Sequence, residues 1–226
     1  MGYRGRFIFV MSLTMGRIPL ILLFLAVNLL LMRYHEDSGR WVLMAPGWHT
    51  FWFIVAFGAM VLSALTDLFD GYYARRLNVT TSLGAYADPL TDKIFYLTAF
   101  PALIFLASLR TDSLLHARLL LALTIIFLMR DQWISFLRSI GSLHKVSAKA
   151  NWSGKARTVI SFPMICTVYW YLASPSHFPL QFSAWFIYLF EMVALVINLI
   201  SIWVYTRNYW PWLMIEAGFG EKKNDG

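Results

Sequence analysis

Six stretches of about twenty apolar residues, roughly 18–32, 49–66, 93–109, 117–136, 157–173 and 183–205, dominate this chain. A helix of that length crosses the hydrocarbon core of a bilayer, and backbone N–H and C=O groups in lipid must be satisfied within the segment that carries them. No stretch alternates with a period of two at the turn spacing of a membrane barrel. Helices are what remains. The expected fold is therefore all-α, a polytopic membrane protein with six transmembrane helices. Composition agrees, since 59% of the 226 residues are apolar and 14% charged, against about half and about a quarter in soluble domains.

Lysine and arginine set the expected orientation, because positive loops stay cytoplasmic. Of the 19, fifteen lie in the amino-terminal segment, the 75–93 and 130–157 connections and the tail after 206; Arg33, Arg40, Arg110 and Arg118 lie on the other side. This predicts both termini in the cytoplasm, with a cytoplasmic segment 1–17, a six-helix transmembrane domain 18–206 and a cytoplasmic tail 207–226. The polar end, Glu221 to Gly226, is expected to be disordered. No small-residue cleavage site follows the first apolar run, so a retained helix is expected and not a removed signal peptide. The net charge of +7 is scattered between apolar runs instead of lying along one soluble face, which speaks against nucleic acid as a partner. The single cysteine, Cys166, rules out an internal disulfide. The sequons at Asn78 and Asn151 fall on the expected cytoplasmic side and are discounted.

Four of the 12 acidic residues, Asp67, Asp70, Asp88 and Asp92, crowd into 26 positions at the cytoplasmic ends of the second and third spans. Asp67 and Asp70 are three apart and Asp88 and Asp92 four apart, so each pair projects from one face of its helix. Converging carboxylates near hydrocarbon repel one another, so they either take up protons or bind cations. Hard divalent ions fit best, because Mg2+, or Mn2+ in its place, takes carboxylate and phosphate oxygens, and two such ions suit phosphoryl transfer. Gly71 and Ala74 follow Asp67 on the same helical face and leave room for a ligand against the backbone, as does Gly84 on the facing segment. Arg75 is placed to pair with a diphosphate, and Pro89 is expected to open or kink the third helix. The alternatives are intramembrane ion pairs with Arg75, Arg76 and Lys93, or a proton pathway in a membrane transporter.

Asp67-x2-Asp70-Gly71-x2-Ala74-Arg75-x8-Gly84-x3-Asp88-x3-Asp92 resembles the signature of the CDP-alcohol phosphotransferase family, with every element and spacing present. The resemblance implies a six-helix membrane enzyme, commonly a homodimer, with nucleotide and metal on the cytoplasmic side. In such enzymes an alcohol hydroxyl attacks the lipid-bearing phosphate of a CDP-lipid and CMP leaves. Carried over, Asp67, Asp70 and Asp88 hold two Mg2+ or Mn2+ ions, Asp92 takes the hydroxyl proton with metal contact, and Gly71, Ala74, Arg75 and Gly84 frame the CDP.

The acceptor is read from the third cytoplasmic connection, with its six basic residues. Arg130 and Arg138 are eight apart, about two turns, and share a face, while Lys155 and Arg157 open the fifth helix. Those four cations imply an acceptor with its own phosphate, because a neutral polyol would not reward them; Lys145 and Lys149 are read as solvated anchors. Arg130-Asp131-x3-Ser135-x2-Arg138, Gly154-Lys155-x-Arg157-Thr158 and Ser12-x-Thr14-x2-Arg17 resemble motifs of one branch, the phosphatidylglycerophosphate synthases. That resemblance implies CDP-diacylglycerol and glycerol 3-phosphate as substrates in phospholipid biosynthesis, with Arg17 a weaker candidate for the acceptor phosphate, at a bacterial inner membrane. Rival acceptors are phosphatidylglycerol, as in a cardiolipin synthase, and an inositol phosphate.

The five histidines lie at separate loops or span edges, so no zinc site is expected. Trp and Tyr gather near span ends as interface belts. Glu191 is the one acid expected well inside a span, where a buried, protonated or paired carboxyl is the favoured reading.

Overall fold

The computed structural model describes residues 3–30, 32–35, 40–43, 46–77, 82–109, 114–144, 146, 152–175 and 177–219. For 3, 32–35, 40–43, 46–47, 67–68, 70–72, 74–75, 82–86, 88–89 and 155 that description is of the backbone. Each of the six expected spans is a helix: α1 Tyr3–Leu30, α2 Pro46–Arg76, α3 Ser82–Ser108, α4 Leu114–Leu143, α5 Trp152–Ala173 and α6 Ala184–Glu216. Five contain stretches long and apolar enough to cross a membrane; α5, with Lys155 and Arg157 in its first turns and Pro163 inside, is less apolar.

All six helices outrun their apolar windows, because a growing helix gains one backbone hydrogen bond per added residue whatever the side chain's polarity. The consequence is largest at α1, which begins at Tyr3 instead of near residue 18, and at the acidic segment. Asp67 to Arg75 lies wholly in the last turns of α2, and α3 starts at Ser82, so Pro89 falls within that helix instead of opening it. Between α1 and α2 the chain forms an antiparallel hairpin that the apolar pattern did not announce, β1 Met32–His35 paired with β2 Arg40–Leu43, with Met32 opposite Leu43 and His35 opposite Arg40. The asparagines of both sequons, Asn78 and Asn151, together with Lys145, Lys149 and the end of the tail, lie outside the described residues.

The chain divides into two compact units. The first comprises residues 1–121 and 165–182. In it α1 packs against both α2 and α3. Its buried stripe, Val10, Thr14, Arg17, Ile21, Phe24, Val27 and Asn28, follows the three- and four-residue step of a helix face. Phe24 meets Tyr169 edge-on at 5.1 Å, and Tyr169 stacks on Phe53 at 5.9 Å, so the interior between α1, α2 and the end of α5 is largely aromatic.

The second unit comprises residues 122–164 and 183–226. Here α6 buries Glu191, Asn198, Ser201, Tyr205 and Tyr209 and exposes Leu189, Met192, Val193, Val196 and Leu199. Polar inside and apolar outside is the pattern that lipid selects. Glu191 is thus buried on the inner face of its helix, as the favoured reading had it. At the far end Ile134 and Leu137 of α4 pack on Tyr205 and Tyr209, and Gly141 allows the approach: a Cβ there would overlap the ring of Tyr209.

Candidate active site

The acidic segment is built by two consecutive helices. Asp67 and Asp70 sit in the last turns of α2 and Asp88 and Asp92 in the first turns of α3, with residues 77–81 between the helices. All four are carboxylates with no Cys or His among them, an oxygen-only donor set suited to hard divalent cations. The side chains of Asp67, Asp70 and Asp88 lie outside the described residues, as do those of Ala74 and Arg75; Gly71 and Gly84 are placed as helical backbone. Asp92 is described, and it has a partner. Arg17 of α1 donates from Nη1 to its Oδ1 at 3.3 Å, the arginine side chain being 3% exposed and the aspartate 49%. Arg17, expected at the acceptor phosphate, is thus held on an acid of the signature. Arg6, also on α1, donates to the carbonyl of Leu77 at 3.3 Å, just past the end of α2, and Phe9 meets Tyr73 edge-on at 5.4 Å.

The basic residues of the second unit converge. Asp131 accepts from Arg130 Nη1 through Oδ1 at 2.8 Å and from Arg157 Nη2 through Oδ2 at 2.8 Å, so one carboxylate bridges two guanidinium groups from α4 and α5. Arg130 also donates from Nε and Nη2 to the hydroxyl of Ser201 at 3.2 and 2.5 Å. Arg138, two turns on, donates to the Tyr205 hydroxyl at 3.0 Å. The Arg157 guanidinium lies over the Phe127 ring, 3.9 Å from its centre, a geometry that fixes the plane of the cation. Gly154 brings the start of α5 against α6, since a Cβ there would sit 2.9 Å from the Tyr205 hydroxyl. Three of the four expected acceptor-site cations therefore share one cluster, and the side chain of the fourth, Lys155, lies outside the description.

Sequence reasoning missed Ser201 and Tyr205. The available signal was their spacing: with Glu191 and Asn198 they recur at helical intervals inside an apolar run, and polar groups at such depth face a protein interior.

The family model for CDP-alcohol phosphatidyltransferases matches residues 8–204, which takes in the acidic segment and the basic cluster alike. The chain belongs to this family. Among curated relatives, it is similar to a CDP-diacylglycerol–glycerol-3-phosphate 3-phosphatidyltransferase of Sodalis glossinidius, 33% identical over 113 residues, which are 49% of this chain and 57% of that protein. It is also similar to enzymes of the same name from Rickettsia felis, 34% identical over 100 residues (44% of this chain and 50% of that protein), and Wigglesworthia glossinidia brevipalpis, 62% identical over 34 residues (15% and 19%). The chain spans 57% of the first relative's length and 50% of the second's.

Proposed function

We propose that this CDP-alcohol phosphatidyltransferase moves the phosphatidyl group of CDP-diacylglycerol to a hydroxyl of glycerol 3-phosphate and releases CMP. The observation that carries the acceptor is the cluster of Arg130, Arg138 and Arg157, which offers guanidinium groups in fixed orientation to a phosphate, as forked donors do best. A neutral alcohol would make no use of the net positive charge that two guanidinium groups on one carboxylate leave. The names of the relatives support the same substrates.

Asp67, Asp70 and Asp88, with Asp92, are the residues that would hold two Mg2+ or Mn2+ ions. Bound there, divalent ions supply charge neutralisation at the diphosphate. Gly71, Ala74 and Gly84 admit the cytidine nucleotide to the helix backbone, and Arg75 pairs with its diphosphate. Arg130, Arg138, Lys155 and Arg157 bind the acceptor by its phosphate. Asp92 accepts the hydroxyl proton as the oxygen forms its bond to the lipid-bearing phosphorus; the phosphoanhydride bond breaks and CMP leaves with its electrons. The bias of Lys and Arg supports an active site and both termini on the cytoplasmic side of a bacterial inner membrane, with the divisions at 17 and 206 marking the transmembrane domain. A second copy is the expected partner.

The test is purified protein with CDP-diacylglycerol, magnesium and a panel of glycerol 3-phosphate, phosphatidylglycerol, inositol phosphate and serine. CMP release with glycerol 3-phosphate is the expected result. Preference for phosphatidylglycerol would make it a cardiolipin synthase, and full activity with serine would remove the phosphate-pocket reading.

A further inference from the structure

Arg6 and Arg17 are eleven positions apart on α1, about three turns, so they share a helix face. That face packs against the two helices that carry the aspartates. Arg6 reaches the carbonyl of Leu77, whose N–H continues the α2 hydrogen-bond ladder to Tyr73 at 2.8 Å, so a cation sits at the carbonyl end of the helix bearing Asp67 and Asp70. Arg17 reaches Asp92 on α3. It does so from a buried stripe with Val10, Thr14 and Ile21 around it, where desolvation makes a guanidinium costly unless an anion holds it. The aspartate is half-exposed, so the buried partner is the anchored one and the carboxylate is what gets oriented.

We infer that Arg17 is a positioning residue for Asp92, and that α1, through Arg6 and Arg17, braces both halves of the acidic segment. This rests on the proposed transfer reaction only in taking Asp92 as the proton acceptor. It reassigns Arg17 from substrate binding to the preparation of a catalytic carboxylate: the Nη1 contact on Oδ1 limits rotation of the carboxylate.

A double-mutant cycle tests it, with wild type, Arg17→Gln, Asp92→Asn and the double variant assayed for kcat and for KM of each substrate, and exposed Arg4→Ala as control. Arg17→Gln should lower kcat at least tenfold with the acceptor KM within twofold. In the Asp92→Asn background the same change should cost less than twofold, because the group it positions is gone. Arg17→Lys should restore part of kcat. Should Arg17→Gln fail to fold, Arg17→Lys against Asp92→Asn carries the same comparison. A tenfold rise in acceptor KM with kcat kept would put Arg17 on the substrate phosphate and overturn the inference, as would an equal loss in both backgrounds. If wild type prefers a different alcohol, the acceptor reading fails separately, and the cycle run with that alcohol still judges Arg17.

Discussion

The acidic and the basic regions are assembled in opposite ways. The four aspartates come from 26 consecutive positions on two successive helices, whereas the basic cluster joins α4, α5 and α6, with Arg130 meeting Ser201 across 71 residues. Like charges dominate the first, and the counter-ion described there, Arg17 on Asp92, comes from a third helix. The second contains its own counter-ion, Asp131, and its own hydrogen-bond partners on α6. It is organised before any substrate arrives. The comparison teaches that the acids are specified by spacing, while the basic cluster is specified by packing.

The strongest test of that contrast is at the acids. Asp67→Asn, Asp70→Asn and Asp88→Asn should each remove nearly all transfer, because each takes a charged oxygen from a divalent site, and chelation of divalent ions in wild type should do the same. The variants should still insert and elute like wild type in detergent. Retained activity in any one of them at ordinary magnesium would remove that residue from the metal set.

Next come the arginines. Replacing Arg130, Arg138 or Arg157 by Ala removes a charge-assisted contact worth roughly 1.5–3 kcal/mol, about ten- to a hundredfold in apparent acceptor affinity, with CDP-lipid binding near normal. Acceptor titrations at saturating CDP-diacylglycerol measure it, with Lys145→Ala and Lys149→Ala as controls. Equal effects at controls and candidates would dissolve the difference between a built pocket and a charged loop.

Gly141→Ala probes packing directly. A methyl there meets the Tyr209 ring, and the strain should cost roughly 1–3 kcal/mol, read as a lowered unfolding midpoint. Activity at low temperature should survive.

Smallest is Tyr205→Phe, which deletes the acceptor for Arg138 while keeping the ring stacked on Tyr209. A net hydrogen bond of about 1 kcal/mol predicts an acceptor KM raised about fivefold and an unchanged CDP-lipid KM. No change in either would show that Arg138 is held by its place over the ring and not by the hydroxyl.

Sequence alone determined the six helices and the acidic segment, because both are local. Apolar length dictates a helix in lipid, and residues three and four apart share a helix face whatever surrounds them. It also marked Arg130, Arg138 and Arg157 by their spacing, although α4 runs on to Leu143 and holds Arg130 in its middle instead of at its end. Only the tertiary structure decided their partners. Ser201 and Tyr205 on α6, the Asp131 bridge to Arg157, and the turn of Arg17 toward Asp92 all join residues 26 to 75 positions apart. The hairpin at 32–43 belongs with them, since its strands are too short for period-two patterning to stand out beside apolar spans. A buried cation must find an anion, and which anion it finds depends on how the helices pack, a choice made between segments far apart in the chain and written in no single stretch of it.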